Sequence, residues 1–150
     1  MNLELIAGRA RHRGFTLIDL VIALAIIAIL LKIALPNYQA YIVKSSRQAV
    51  QGELIALAQA EEKIFLNSNS YTSSTTGAYT GQSSGGLGVA AATSPSGSGK
   101  SKDDRYTIAA SATATTFTLT ATPKAGTPQV GDGNLTINEQ GVRTWGSKTW

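Results

Sequence analysis

The stretch RHRGFTLIDLVIALAIIAILLK, residues 11–32, joins a basic cluster to a long apolar run. Every residue from Leu20 to Leu31 is apolar. At about 1.5 Å per helical residue, segment 15–35 covers roughly 30 Å, enough to cross a bilayer. Two features do not belong to a plain membrane anchor. Asp19 places a carboxylate near the start of the run, and Gly14 separates the run from three upstream arginines.

A carboxylate costs about 2.5–3.5 kcal/mol in the middle of a membrane helix and less near its end. Cleavage between Gly14 and Phe15 would give it a purpose, because the new α-amino group would lie four residues from Asp19. Between adjacent helices shifted along their axes, amine and carboxylate can pair and fix the register. The alternatives are an incidental aspartate at the membrane edge, a buried core helix, and a secretory signal. A secretory signal requires a small-residue cleavage site after the apolar run, and none follows it here.

Residues 13–40 resemble the class III signal and N-terminal helix of type IV pilins. The resemblance implies that a prepilin peptidase cuts after Gly14 and methylates Phe15, and that Pro36 is the family's helix-breaking proline. It also implies that Asp19 makes the register contact, although the family usually has the longer glutamate there. The implied fold is α+β: a long N-terminal helix, half in the membrane or fibre core and half packed on a head, followed by an antiparallel sheet.

Downstream of Pro36 the pattern is that of an amphipathic helix, with apolar residues recurring every seven positions between polar ones. The face predicted to pack on the head comprises Val50, Leu54, Leu57 and Ile64. The predicted segments are a leader at 1–14, a hydrophobic half-helix at 15–36, an amphipathic half-helix at 37–66, a Ser/Gly/Thr-rich loop at 67–104, and a sheet with a C-terminal loop at 105–150.

Three segments of the C-terminal part show the period-two alternation of half-buried strands: RYTIAA, FTLTAT and NLTIN. NEQG, residues 138–141, reads as a turn that joins NLTIN to VRTW in a hairpin. The sequence therefore predicts an antiparallel sheet of about four strands, with an apolar face that covers the helix.

The second half resembles the PilE-like minor pilins of Gram-negative bacteria, through KIFLNSNSYT and FTLTATPKAG and DGNLTINEQGV. In those proteins a disulfide closes the C-terminal loop, but this chain has no cysteine, and Asp132 and Thr149 occupy the corresponding places. We predict that Trp145, Trp150 or both pack back on the head and replace part of the disulfide's effect. The alternative is that both tryptophans belong to an exposed tail or to a contact between subunits.

Several chemistries have little support in the sequence. The single histidine, His12, lies in the leader, which leaves none for a triad in the rest of the chain. GGLG is not followed by the Lys-Ser/Thr pair of a phosphate loop. Asp103, Asp104 and Asp132 lack a regular calcium-ligand spacing. We predict no catalytic residue, no metal and no cofactor, and a protein that is not an enzyme.

The predicted function is that of a structural subunit, a minor pilin, of a type IV pilus. A single-pass precursor would sit in the inner membrane with its head in the periplasm. It would be cleaved and N-methylated, and then assembled with other pilin subunits by an inner-membrane platform into an extracellular fibre. Such fibres serve motility, adhesion or DNA uptake. The alternatives are a type II secretion pseudopilin, a DNA-receptor minor pilin and a plain membrane-anchored periplasmic protein.

Nucleic acid remains a weak expectation from charge alone. The net charge is +4, of which half belongs to the leader, and the chain from Asn37 onward has nine Lys/Arg against seven Asp/Glu. This predicts weak DNA binding without sequence preference. The candidate basic residues of the head are Lys100, Lys102, Arg105, Lys124, Arg143 and Lys148.

Overall fold

A computed structural model describes residues 15–93 and 97–150. They form one helix, α1, Leu17–Ser68, and one antiparallel sheet, which confirms the predicted α+β class. The chain divides into two compact units, the first ending at Tyr38 and the second running from Gln39 to Trp150.

The part of α1 that precedes Tyr38 presents its apolar side chains outward on every side. Leu17 is 81% exposed and Leu35 is 54% exposed. This helix is long and apolar enough to cross a membrane, and none of its most apolar stretch is buried within the chain. A helix that is apolar all round needs lipid or other helices around it.

The head sheet is a meander in which each strand pairs with the next along the chain. Its strands are β1 Gly99–Lys100, β2 Tyr106–Ala112, β3 Phe117–Pro123, β4 Leu135–Asn138, β5 Arg143–Trp145 and β6 Lys148–Thr149. All neighbouring pairs are antiparallel, with Ile108 opposite Ala121 and Leu119 opposite Ile137.

The prediction of about four strands was wrong, because the sheet has six. β1 lies inside the segment predicted as loop, and β6 is formed by the last residues of the chain. Both added strands are two residues long, too short for a period-two pattern to appear in the sequence. They occupy the two edges of the sheet, and each carries a lysine.

The core of the head lies between α1 and one face of the sheet. Val50, Leu54 and Ile64 are buried on the helix, whereas Leu57 packs at the margin and is only partly buried. The strands contribute buried side chains from alternate positions, as the pleat requires. These are Tyr106, Ile108, Phe117, Leu119, Ala121, Leu135 and Ile137.

The polar segment between α1 and β1 folds onto itself through backbone hydrogen bonds, such as Leu87 N–H to Ser74 O at 2.9 Å. Gly77 and Gly86 lie so close together that a Cβ on Gly86 would meet the Gly77 carbonyl oxygen at 2.4 Å. Leu87, the next residue, is buried in the core.

Candidate assembly segment and polar clusters of the head

The residues predicted to direct processing lie at the boundary of the described chain. Gly14 falls outside the described residues. Phe15 is the first described residue, and it lies two positions before the start of α1. An exposed apolar segment that begins at Phe15 presents a surface for other helices.

Asp19 is held by its own chain. Its carboxylate accepts hydrogen bonds from the Thr16 backbone N–H at 3.1 Å and from the Thr16 hydroxyl at 2.6 Å. The Asp19 N–H in turn donates to the Thr16 hydroxyl oxygen at 3.3 Å. This reciprocal arrangement is a capping box, with aspartate in the place of the usual glutamate, and it satisfies donors that the helix start leaves unpaired. The carboxylate therefore already has two hydrogen-bond donors from its own chain.

Pro36 lies inside α1, not at its end. Proline has no N–H, so the Lys32 carbonyl loses its usual helical partner. Both the hydrophobic stretch and the head stretch nevertheless belong to one helix, Leu17–Ser68.

Asp132 is the centre of a buried polar cluster in the head. Its side chain is 4% exposed and forms a two-point ion pair with Arg47 of α1, including an Nε–Oδ2 distance of 2.9 Å. Tyr106 donates its hydroxyl to Asp132 at 2.6 Å, and Gln129 donates its amide at 2.8 Å. Burial alone would raise the pKa of Asp132, but these hydrogen bonds hold the pKa below its usual range.

The same cluster holds the C-terminal hairpin, which is formed by β5 and β6. The Trp145 indole N–H donates to the Asp132 backbone carbonyl, and the Arg47 guanidinium lies 3.7 Å from the centre of the Trp145 ring. Trp150 donates its indole N–H to the Thr144 carbonyl at 2.8 Å. Both tryptophans are partly buried and pack against the core. The placement fits the predicted role as a substitute for the disulfide.

Glu61 is a second buried carboxylate, at the other end of the head helix. It is fully buried, and one oxygen accepts the Thr72 backbone N–H at 3.0 Å. The other oxygen has no hydrogen-bond partner within residues 15–93 and 97–150. Burial is the main reason that the pKa of Glu61 is raised, against the hydrogen bond from Thr72.

The three aspartates considered for calcium do not converge. Asp103 accepts hydrogen bonds from the Ser46 and Ser101 hydroxyls, Asp104 pairs with Lys124 at 2.8 Å, and Asp132 pairs with Arg47. In the part of the chain that the structure describes, no group of three or more acidic or histidine side chains could hold a metal ion.

Of the six candidate basic residues, two form ion pairs and four do not form one with any described residue. Lys124 is paired with Asp104, and Arg105 lies 3.9 Å from Asp103. The other four candidates, Lys100, Lys102, Arg143 and Lys148, have no carboxylate of the described residues within 4.0 Å. In the C-terminal hairpin, Arg143 lies 5.4 Å from the Trp150 ring centre and Lys148 lies 5.3 Å from that of Trp145.

Sequence reasoning missed two members of these clusters. Gln129 is fully buried and also donates to the Val43 carbonyl of α1 at 3.0 Å. Glu61 is a charged residue of α1 that the helical pattern alone did not single out. Its position three residues before Ile64 and seven after Leu54 places it on the buried stripe, which was the available signal.

Two models of known protein families match parts of this chain. A family model described as "Type IV minor pilin ComP, DNA uptake sequence receptor" matches residues 36–136, more than half of the chain. The chain belongs to this type IV minor pilin family. A second model, the prokaryotic N-terminal methylation motif, matches residues 9–34 of this pilin. The two matches together cover the apolar half-helix and most of the head.

Individual relatives of this pilin match over shorter stretches. The type IV major alpha-pilin of Moraxella bovis is 60% identical over 45 residues, 30% of this chain and 28% of the relative. A fimbrial protein of Pseudomonas aeruginosa is 42% identical over 65 residues, 43% of this chain and 42% of the relative. The type IV major pilin PilA of Myxococcus xanthus is 40% identical over 62 residues, which are 41% of this chain and 28% of the relative. These matches span less than half the length of each relative.

Proposed function

We propose that this pilin is a structural, non-catalytic subunit of a type IV pilus. It is made as a precursor in the inner membrane with its head in the periplasm, cut between Gly14 and Phe15 and methylated on Phe15. An inner-membrane platform then assembles it with other pilins into an extracellular fibre. The observation that carries the proposal is the outward-facing apolar half-helix that begins at Phe15, together with the methylation motif over residues 9–34.

The physical basis is that lipid and neighbouring helices can replace each other around this half-helix. Because its apolar side chains are exposed on all sides, moving it from lipid into a bundle of like helices keeps those side chains away from water. Contacts of this kind need not close into a ring, and so they extend into a fibre. Asp19 then pairs with the terminal amine of an adjacent subunit and fixes the axial position.

Processing is tested on fibres sheared from cells. Mass spectrometry of the N-terminal peptide should find a methylated Phe15 followed by Thr, Leu, Ile and Asp. A Gly14→Val variant should keep its leader and be missing from fibres, while remaining in the membrane. An intact leader on wild-type protein in fibres would rule out the proposed maturation.

Asp19 has its own test. Asp19→Ala should enter the membrane at least as well as the wild type, because a charge is removed from the bilayer, but should be depleted from fibres. Asp19→Glu is the matched control and should incorporate normally, because it keeps the charge. Normal incorporation of Asp19→Ala would show that the carboxylate has no part in register.

A second candidate function, DNA binding, is favoured by the family's description as a DNA uptake sequence receptor. We propose the C-terminal hairpin as the contact surface. Arg143 and Lys148 lie there without carboxylate partners among the described residues, beside two partly exposed tryptophans. Interleaved cations and aromatic rings suit phosphate contacts and base stacking.

DNA binding is measured with the full chain in detergent, by fluorescence anisotropy against salt concentration. The double variant Arg143→Gln/Lys148→Gln should weaken binding and flatten the salt dependence by about two phosphate contacts. Lys100→Gln/Lys102→Gln removes the same charge elsewhere and should retain binding. No binding by the wild type at low salt would end this second candidate and leave the pilus role untouched.

A further inference from the structure

A small open pocket lies at the start of the head, between α1 and the turn that leads into β2. Its volume is about 290 Å³, and all of its lining residues belong to the unit that runs from Gln39 to Trp150. The polar residues of its wall are Tyr41, Ser45 and Ser46 of α1 and Asp103 and Arg105 of the turn. The pocket therefore brings hydroxyl, carboxylate and guanidinium groups to one place.

The pocket offers hydrogen-bond donors that the head does not use. Arg105 Nε lies 3.9 Å from Asp103 Oδ2, too far for a hydrogen bond, and Arg105 Nη1 has no hydrogen-bond partner within residues 15–93 and 97–150. The Arg105 side chain is 29% exposed. Tyr41 is 70% exposed and Ser45 is also exposed, so both hydroxyls can reach a ligand. A guanidinium beside two hydroxyls suits the oxygens of a phosphate group.

Asp103 stands next to these donors and can accept a further hydrogen bond. It already accepts the Ser46 hydroxyl, the Ser101 hydroxyl at 2.6 Å and the Arg105 backbone N–H at 3.2 Å. An ionised carboxylate has about four acceptor positions, and the Asp103 side chain is 33% exposed. A cationic donor suits the remaining position. A ligand with a phosphate for Arg105 and an ammonium for Asp103 therefore matches both charges of the pocket.

The pocket is close to the apolar half-helix along the chain. Tyr41 follows Leu35, at the end of the apolar stretch, by six residues, which is about 9 Å along α1. Helical side chains lean toward the N-terminus of the helix, which for Tyr41 is the direction of that stretch. Headgroups extend roughly 5–7 Å beyond the hydrocarbon on each side of a bilayer. Tyr38 and Tyr41 are 63% and 70% exposed, as is typical of tyrosines at the level of lipid headgroups.

We infer that this pocket binds the headgroup of phosphatidylethanolamine, a phospholipid with a phosphate and a primary ammonium. Arg105 and the hydroxyls of Tyr41 and Ser45 hold the phosphate, and Asp103 holds the ammonium. The inference rests on the proposed function, because it concerns the stage at which the chain stands in the membrane. One headgroup serves one subunit, so the site needs no second copy of the chain. The bound lipid holds the head at a fixed height until the subunit is extracted into the fibre.

Native mass spectrometry of the full chain in detergent measures which lipid stays bound. With equal amounts of phosphatidylethanolamine, phosphatidylglycerol and phosphatidylcholine added, the wild type should retain the first by about three-fold over either of the others. Phosphatidylglycerol has no ammonium, and the ammonium of phosphatidylcholine has no N–H to donate to Asp103. Equal retention of the three lipids, or a preference for phosphatidylglycerol, overturns the inference.

Variants separate the pocket from a general attraction of phospholipid to positive charge. Arg105→Gln and the double variant Tyr41→Phe/Ser45→Ala should each lower the retained phosphatidylethanolamine by about three-fold or more. The double variant changes exposed positions only, so it keeps the test decisive if Arg105→Gln disturbs the turn. Lys44→Gln is the matched control, because it removes one exposed charge from the same turn of α1 outside the pocket, and it should bind like the wild type. An equal loss in the control, or no loss in the pocket variants, overturns the site.

The ammonium and the acyl chains have their own tests. Asp103→Asn keeps an acceptor for the serine hydroxyls but removes the charge, so retention of phosphatidylethanolamine should fall to the level of phosphatidylcholine. An unchanged preference in this variant overturns the role of Asp103. Glycerophosphoethanolamine, the same headgroup without acyl chains, should displace little of the lipid at equal concentration. Complete displacement would assign the pocket to a soluble phosphate ester and overturn the lipid assignment.

Failure of this site is distinguishable from failure of the pilus role. Absence of the wild-type chain from both the membrane fraction and sheared fibres would refute the proposed function itself. Presence of the chain there, without a preference for phosphatidylethanolamine, would refute only the headgroup site.

Discussion

Asp132 and Glu61 are both carboxylates buried in the head, but their pKa values are shifted in opposite directions. Asp132 receives hydrogen bonds from Arg47, Tyr106 and Gln129, and its pKa is lowered. Glu61 receives one, from the Thr72 amide, and its pKa is raised, mainly by burial. The comparison shows that burial alone does not set a carboxylate's charge. The hydrogen bonds that it accepts and the charges beside it, Arg47 for Asp132 and Glu62 for Glu61, contribute as well.

The two sites also differ in what they join. Through Asp132, α1 is tied to the β3–β4 connection and to the C-terminal hairpin. Through Glu61, α1 is tied only to the start of the segment that follows it. We therefore expect perturbations at Asp132 to spread and those at Glu61 to stay local.

The largest expected effect is that of Asp132→Ala. It leaves the Arg47 guanidinium without its partner and removes the acceptor of Tyr106, at a cost of about 3 kcal/mol in unfolding free energy. Thermal melting of the full chain in detergent, followed by tryptophan fluorescence, measures it. Asp104→Ala breaks the more exposed pair with Lys124 and should scarcely move the melting temperature. Equal effects of the two variants would contradict the distinction between a buried and a surface pair.

Trp145→Ala should rank second, at about 2–3 kcal/mol, because it removes the indole under Arg47 and the hydrogen bond to Asp132. Trp145→Phe should recover roughly half, since it keeps a ring but not the N–H. Addition of reductant should change neither melting temperature. If Trp145→Ala melts like the wild type, the hairpin is not held by this contact.

Most of the stability that the head loses at acid pH should be due to protonation of Asp132. A lowered folded pKa means that its contribution is present above its unfolded value, about 3.9, and is lost as pH falls through the folded pKa. Melting temperature measured between about pH 5 and pH 2 should therefore fall steeply for the wild type. Asp132→Asn should be less stable at pH 6 and fall less. The remaining slope is expected from Asp103, whose pKa is also lowered.

Glu61→Gln should change the stability of the head least. The contribution of Glu61 to stability should also depend on pH in the direction opposite to that of Asp132, because its pKa is raised and not lowered. A raised folded pKa means that the folded head favours the protonated acid, so stability declines as pH rises from about 4.5 through the folded pKa. The amide cannot ionise, so the variant should lose this decline and match or exceed the wild type at pH 7. A less stable Glu61→Gln at pH 7 would show that the charge is needed.

Periodicity made most of the fold predictable. The long α1 and strands β2 to β4 follow from periodic patterns over four or more residues. Strand β5 follows from the turn signal NEQG after β4. The edge strands β1 and β6 were missed, because two residues carry no period and their pairing depends on where the neighbouring strand ends.

The candidate sites were predictable to a smaller extent. Phe15, Asp19 and Pro36 stand out within a local motif. The Asp132 cluster does not, because Arg47 and Asp132 are far apart in the chain and meet only after the sheet has packed on α1. The sequence showed that Asp132 stands where related pilins have a cysteine, but it did not predict which residue Asp132 contacts. Gln129 had no sequence signal, since buried glutamine looks like any loop glutamine.

The two edges of the sheet bear on how such heads tolerate crowding. An exposed strand edge offers unpaired amides and carbonyls to any other edge, and heads held at high density would be prone to strand-to-strand aggregation. Here each edge strand has only two residues, and one of the two is a lysine, Lys100 or Lys148. The outer side of β1 is also partly covered, because the Lys100 N–H donates to the Ala90 carbonyl at 2.8 Å. Such edges offer few hydrogen bonds for β-type polymerisation, and their like charges oppose it. In the proposed fibre, pairing between strand edges would therefore compete little with the contacts between helices.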